Sequence, residues 1–442
     1  MSNPCPYPSC GHEAPDSAKF CPTCLKRFAL CGQCHSINRT LAKFCRRCGK
    51  PIGSSSEWPS TRGDYEFTAY VPFSTEFDAL AAGDALPAPW PAQAGPAGHV
   101  YTSPVSAHGL LIICSSKGQV TVMNRYQGGV LAEFPIGGDG QEQEYSALVA
   151  EHLLVVAGHR FVTAYNLLHS FKGWEGGGPF RMSQEWAYLL PPRERIRRSI
   201  NRVSAGDGAG KAILFSTENG SERRVHAISE EHGTPLWRDP IAVPAAFSAP
   251  VSGEGSWAYA VGEDDRVHSI DIAAGTLKSS IPLAVPPDLN LAPVRQGDRL
   301  FFFDKEGALV TCAVGSGASG VPTRASEAKL QVVTGFAVGP LGILVSCSRG
   351  LAMLSFTGRP LWTGEGGMDA GGSAPVIAGD IGLGIAQNRN ILYVCDVRAS
   401  SPRYRQFQIE TGQMVAGPAF VDGVLYTCSL DGRVSSARIQ TE

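Results

Sequence analysis

The residues with the clearest chemistry are thirteen cysteines, eight of which fall between positions 5 and 48. Their spacing is Cys5-x4-Cys10, ten residues, Cys21-x2-Cys24, six residues, Cys31-x2-Cys34, ten residues, Cys45-x2-Cys48. A Cys-x2-Cys turn sets two sulfurs on one side of a tight knuckle, and two knuckles complete a tetrahedral all-thiolate shell suited to zinc. The spacing therefore predicts two Zn2+ ions, one held by Cys5, Cys10, Cys21 and Cys24 and one by Cys31, Cys34, Cys45 and Cys48. The repeat of Ala18-Lys19-Phe20-Cys21 as Ala42-Lys43-Phe44-Cys45 supports this sequential pairing over a cross-brace. The wider first knuckle leaves His12 as an alternative to Cys5. A shell of four cysteines has no open coordination position, so both metals are expected to be structural. A segment this short and this poor in large apolar side chains cannot build a core without them.

The knuckles Cys5-Pro6-Tyr7-Pro8-Ser9-Cys10, Cys21-Pro22-Thr23-Cys24, Cys31-Gly32-Gln33-Cys34 and Cys45-Arg46-Arg47-Cys48-Gly49 resemble those of the double zinc ribbon family. The same segment carries eight Lys or Arg against Glu13 and Asp16. Two four-thiolate zinc centres at roughly −2 each offset most of that excess. A solvated basic surface on a protein-docking ribbon is therefore favoured over a nucleic-acid site. No charged stretch followed by an apolar run opens the chain, which leads to an expectation of the cytoplasm, where close cysteine pairs bind metal more often than they form disulfides.

The elements beyond the cysteines read as strands. Charged residues are 18% of the chain while Gly (51) and Pro (31) are plentiful, a turn-rich composition that excludes a coiled coil. A formal charge of −2 gives no bulk attraction to nucleic acid or to an anionic membrane. The apolar window 332–356 is broken by Gly335, Gly339, Pro340 and Gly342 and reads as buried strands, not as a membrane span. After a small, polar linker at 53–64, a motif of (S/T)-x-P-V, turn, apolar strand, turn and alternating strand recurs eight times. Aligned on Val105, Val149, Val203, Val251, Val294, Val338, Val376 and Phe420, the intervals average 45 residues, the length of a four-stranded blade. The fold class is thus mainly β: a ribbon unit at 1–52, then an eight-bladed β-propeller at 65–442, with seven blades as the fallback. The last unit stops after its third strand, so a segment upstream, 64–73, is expected to supply the fourth. Leu236-Trp237 and Leu361-Trp362 mark outer strands, and Cys114, Cys312, Cys347, Cys395 and Cys428 read as core thiols.

The repeats resemble those of quinoprotein-type, PQQ-like propellers over 65–442. A dehydrogenase of that kind implies a PQQ pocket, a carboxylate-bound calcium, a catalytic Asp and often an adjacent Cys-Cys disulfide. This chain has no adjacent cysteines, and Asp271-Ile272-Ala273-Ala274-Gly275-Thr276 only approaches the Asp-x-x-Thr-Gly-x-x-x-Trp pattern of those enzymes. No P-loop, HExxH or suitably flanked GxSxG is present. His226 and His268 occupy matching repeat positions and read as structural. No catalytic residue and no PQQ are therefore expected.

The longest interval, between Val149 and Val203, carries an insertion with Trp174, Trp186, Arg193, Arg195, Arg197 and Arg198. Aromatic and arginine side chains are enriched at interface hot spots, so this loop is the candidate partner-binding surface. The sequence after the ribbons has 30 basic and 38 acidic residues, which opposes attraction to phosphate and favours a protein partner with an acidic surface. The expected function is a cytoplasmic, non-catalytic protein-binding scaffold. The alternatives are a nucleic-acid-associated factor using the basic ribbons and the arginine-rich loop, and a quinoprotein-like oxidoreductase.

Overall fold

Residues 2–4, 13–15, 28–30 and 37–39 of the N-terminal unit are described in the computed structural model. Beyond them it describes 69–71, 73, 77–80, 86, 88–95, 99–100, 102–136, 145–167, 169–170, 181–197, 199–206, 210–253, 255–315, 318–324, 330, 332–348, 350–364, 374–386, 390–409, 413 and 417–439. The chain divides into two compact units, Met1–Glu57 and Trp58–Glu442. In the first, Ser2–Pro4 pairs with Glu13–Pro15 and Phe28–Leu30 with Ile37–Arg39, both antiparallel.

The second unit is an eight-bladed β-propeller. All eight alignment residues lie in the first strand of their blades, from Val105 in Val105–Ala107 to Phe420 in Ala419–Val421. The first strands of blades 1 to 7 neighbour one another in order, blades 7 and 8 share one core cluster, and the first strand of blade 8 closes on that of blade 1. Successive strands then step outward in chain order, as in blade 1: Leu110–Cys114, Gln119–Asn124 and Val130–Pro135. In blades 1 and 8 the hairpin between first and second strand is a two-residue turn with two positive φ angles in a row. His108 (56°) and Gly109 (78°) supply them in blade 1, Asp422 (52°) and Gly423 (75°) in blade 8.

Second strands are sandwiched between neighbouring blades and mostly buried, wholly so at Leu110–Cys114, Leu153–Gly158 and Gly342–Cys347. Outer strands alternate, as at Thr276–Pro282. The hydrophobic core accordingly lies in the seams, one cluster joining blades 1 and 2 and the next joining 2 and 3. The apolar window 332–356 contributes the buried strands Val333–Gly339, Gly342–Cys347 and Gly350–Leu354, and among the described residues no helix is long and apolar enough to cross a membrane.

Ring closure does use upstream chain, but not the expected segment. Gln93–Ala94 pairs antiparallel with Val434 and Arg433 and is the outer strand of blade 8. Within 64–73, Tyr70–Val71 instead pairs in parallel with Ile377 and Ala378 on the innermost strand of blade 7, and Phe73 packs edge-on against Phe420 at 5.1 Å. The reason is a docking rule that repeats along the ring. Trp90, two residues before the closing strand is reached, donates Nε1–H to the carbonyl of Arg125 in blade 1 at 3.0 Å and covers Gly128. Trp186 of blade 2 docks in the same way on Glu230 (3.0 Å) and Gly233, and Trp237 of blade 3 on Ile272 (2.7 Å) and Gly275. Each acceptor follows the third strand of the next blade directly, and each glycine comes three residues later. In blade 7 that place is Ser400, and Trp362 of blade 6, on the outer strand Pro360–Thr363, has no partner for its buried Nε1 among the described residues. Leu236-Trp237 is also corrected: it precedes the outer strand Ile241–Val243 and does not lie in it.

Candidate functional site

The eight cysteines expected to hold zinc lie outside the described residues. In sequence, Cys5 and Cys10 fall between the paired strands Ser2–Pro4 and Glu13–Pro15, and Cys31 and Cys34 between Phe28–Leu30 and Ile37–Arg39. Thiolates in two sets of four suit closed, structural zinc shells. Among the described residues no group of three or more His, Cys, Asp or Glu is placed to hold a metal ion.

The five remaining cysteines are buried thiols that form no disulfide among the described residues. Burial pushes the thiols of Cys114 and Cys395 up to about 12 and that of Cys312 to about 11, so they stay protonated and inert at neutral pH. His268 is fully enclosed, with Nε2 at 2.9 Å from Asp264 Oδ1, Nδ1 at 2.6 Å from Ser280 Oγ, and its ring stacked on Phe247 at 4.5 Å.

The insertion between Val149 and Val203 contains the outer strand of blade 2, Ser183–Leu189. Trp186 on it is 8% exposed, since its indole fills the seam over Gly233 and its N–H is consumed by the docking bond. It is a structural wedge, which corrects the expectation of an exposed aromatic anchor; Trp174 lies outside the described residues. The exposed apolar residue is Leu189, 74% of whose surface is in solvent. Alternation along Ser-Gln-Glu-Trp-Ala-Tyr-Leu, which turns Trp186 and Tyr188 inward and Leu189 outward, could have revealed it.

The chain then turns through Pro191 and Pro192 into the arginine run. Arg193, Arg195 and Arg197 are exposed while Glu194 and Ile196 are buried, and Arg198 lies outside the described residues. Arg195–Ile196 pairs with Glu218 and Thr217 at the edge of blade 3, which fixes the segment as strand and not as free loop. Arg197 is ion-paired with Glu218, whose other oxygen is 3.4 Å from Arg223. Arg202 is spent on Glu230 at 2.5 Å.

This segment borders a cleft of about 790 Å³ spanning blades 2 to 4, on the face formed by the connections between blades and the turns between second and third strands. Arg197, Ser216, Thr217, Glu218, Arg223 and Phe247 are among its lining. The buried Ser216 hydroxyl has no hydrogen-bond partner among the described residues. Beside the cleft, Thr217 Oγ1 donates to Glu194 Oε1 at 2.5 Å and His226 Nε2 lies 2.8 Å from the same oxygen. Tyr188 Oη is 3.3 Å from Nδ1 of His226. Hydroxyl and acid thus meet on one imidazole nitrogen, whereas a nucleophile relay needs the acid on the opposite nitrogen. Burial lowers the His226 pKa, and the bond to Glu194 offsets part of that shift. The neutral ring therefore donates from Nε2 to Glu194 and accepts from Tyr188 at Nδ1.

Residues 5–49 match the family model described as double zinc ribbon, and residues 197–442 match the one described as outer membrane protein assembly factor BamB. No curated protein matches the sequence. Among solved structures, BamB from Moraxella catarrhalis superposes with a TM-score of 0.56 at 14% identity, covering 80% of this chain and 99% of that one. The quinohemoprotein alcohol dehydrogenase ADHIIG from Pseudomonas putida HK5 gives 0.63 at 9% identity, covering 88% and 81%. The computationally designed Ika8 protein gives 0.58 at 13%, covering 81% and 100%. At these identities the likeness is one of fold, and it spans a designed protein, a BamB and a dehydrogenase alike.

Proposed function

Because the chain belongs to the PQQ-repeat family whose model is described as outer membrane protein assembly factor BamB, and carries a double zinc ribbon ahead of that repeat, we propose that it is a non-catalytic scaffold whose propeller docks protein partners. The observation that carries this reading is the rim where blade 2 passes into blade 3. Leu189 is left in solvent there, and Arg193 and Arg195 follow it, exposed and without an ion-pair partner among the described residues. Arginine is enriched at interface hot spots, and here two exposed guanidinium groups with no ion-pair partner among the described residues lie beside an exposed leucine that adds apolar contact area. The partner surface it fits is acidic with an apolar patch. Nucleic acid is disfavoured by the acidic excess of the sequence that follows the ribbons. In this reading the zinc ribbons act as a metal-stapled docking module, and the closely paired cysteines are the ground for assigning the protein to the reducing cytoplasm.

The test is affinity capture from the native lysate on the zinc-loaded full chain, comparing wild type with Leu189→Ser/Arg193→Ala/Arg195→Ala at matched thermal midpoint. A protein held by wild type and reduced at least about tenfold on the variant supports the reading. Equal capture by both, or enrichment of nucleic acid that salt removes, would overturn it.

A further inference from the structure

The rim arginines sit in a segment held by more than turn chemistry. Arg193 adopts φ 75°, a left-handed conformation uncommon for a non-glycine residue. Between the two exposed arginines Glu194 points inward and is 1% exposed. Its Oε1 receives two hydrogen bonds from blade 3, from Thr217 Oγ1 at 2.5 Å and from His226 Nε2 at 2.8 Å. The imidazole is fixed in turn by the Phe215 ring, stacked at 5.1 Å with 6° between planes, and by Tyr188 Oη. Main-chain bonds grip both sides: Glu194 N donates to Pro191 O at 3.2 Å, and Ile196 N donates to His159 O at 2.7 Å.

We infer that Glu194, Thr217 and His226 are positioning residues that lock the rim segment and hold Arg193 and Arg195 outward in a binding-ready arrangement. A buried carboxyl group is tolerated only while it is hydrogen-bonded, so the segment cannot lift without breaking both side-chain bonds together. Alternation turns Arg195 outward between the buried Glu194 and Ile196, while Arg193 is exposed in the left-handed turn that the Glu194 pin closes. Fixing the arginines beforehand removes part of the ordering cost of binding. The inference rests on the docking reading only for what the arginines are used for; the lock itself is a property of the fold.

Hydrogen-exchange mass spectrometry on the full chain, with poly-L-glutamate as the binding probe, separates the two. Glu194→Ala should lower protection of the peptide covering 191–197 at least tenfold, and Thr217→Val about threefold, with protection of Ile381–Ala386 in blade 7 unchanged. Glu194→Gln, which keeps the shape and the acceptor, should restore most of the protection. Removing an acidic group would by electrostatics alone strengthen binding to poly-L-glutamate, so weaker binding by Glu194→Ala reports lost positioning. Unchanged protection at 191–197 in both Glu194→Ala and Thr217→Val overturns the lock. Lost protection with unchanged or stronger probe binding overturns the positioning role. If wild type does not bind the probe while protection responds as expected, the lock stands and the docking reading falls.

Discussion

Trp90→Ala should open the ring, whereas the same substitution at Trp186 should only loosen it. Both indoles are almost wholly buried (4% and 8% exposed), both donate a 3.0 Å hydrogen bond to the next blade, and both cover a glycine. Truncating a buried tryptophan costs about 3–5 kcal/mol. With an unfolding entropy of roughly 2.1 cal/mol/K per residue over 58–442, a loss of about 4 kcal/mol lowers the thermal midpoint by about 5 °C. The two variants should therefore melt at similar temperatures. They should differ in what is exposed before melting. Trp186 is carried by a seven-residue outer strand continuous with its own blade, but Trp90 anchors the two-residue strand Gln93–Ala94 that closes blade 8. Losing that anchor frees the outer edge of Arg433–Arg438, and an unpaired edge is a template for association. Size-exclusion chromatography over a concentration series at 25 °C reads this directly. Concentration-dependent larger species for Trp90→Ala, and elution like wild type for Trp186→Ala, are expected. Identical elution of the two variants would refute the idea that closure hangs on the Trp90 dock.

Elemental analysis should find two zinc ions per chain, and chelation should unfold 1–52 while the strand circular dichroism of the propeller persists; one metal or none would contradict the two-site pairing. His226 has a folded-state pKa below its ordinary value through burial, so in the window beneath the unfolded value of about 6.5 the unfolded chain binds the extra proton. Stability from this group should thus fall as pH drops from 7.5 toward 5.5, and His226→Gln should flatten that part of the thermal-midpoint curve; an equally steep curve would show that the titration lies elsewhere. With thiol pKa values of about 11 to 12, Cys114, Cys312 and Cys395 should resist iodoacetamide at pH 8 until denaturant is added, and early labelling by mass spectrometry would show that their strands open locally.

Much of this molecule is written in short-range pattern. Cysteine spacing defines the ribbon because four ligands of one metal need only two knuckles and a spacer, and the family match at 5–49 agrees with it. The mean period of 45 residues gives eight blades because the inner three strands of each blade are one local meander. The third strands are likewise legible, as at Arg266–Asp271 and Ile391–Asp396, where apolar runs end in turn residues. What the tertiary structure decided is whatever depends on the neighbouring blade. Alternation sets Trp186 and Leu189 on opposite faces of their strand, but which face is buried is decided only when Gly233, far along the chain, offers Trp186 a slot. Glu194 reads as one charge among five arginines until Thr217 and His226 meet it across a seam. The closing strand is Gln93–Ala94, not the better alternating 64–73, because its pairing with Arg433 and Val434 and the docking of Trp90 on blade 1 are contacts between residues remote in sequence. Periodicity records what a strand buries, but which partner buries it is fixed only when the ring closes and each seam is packed from both sides.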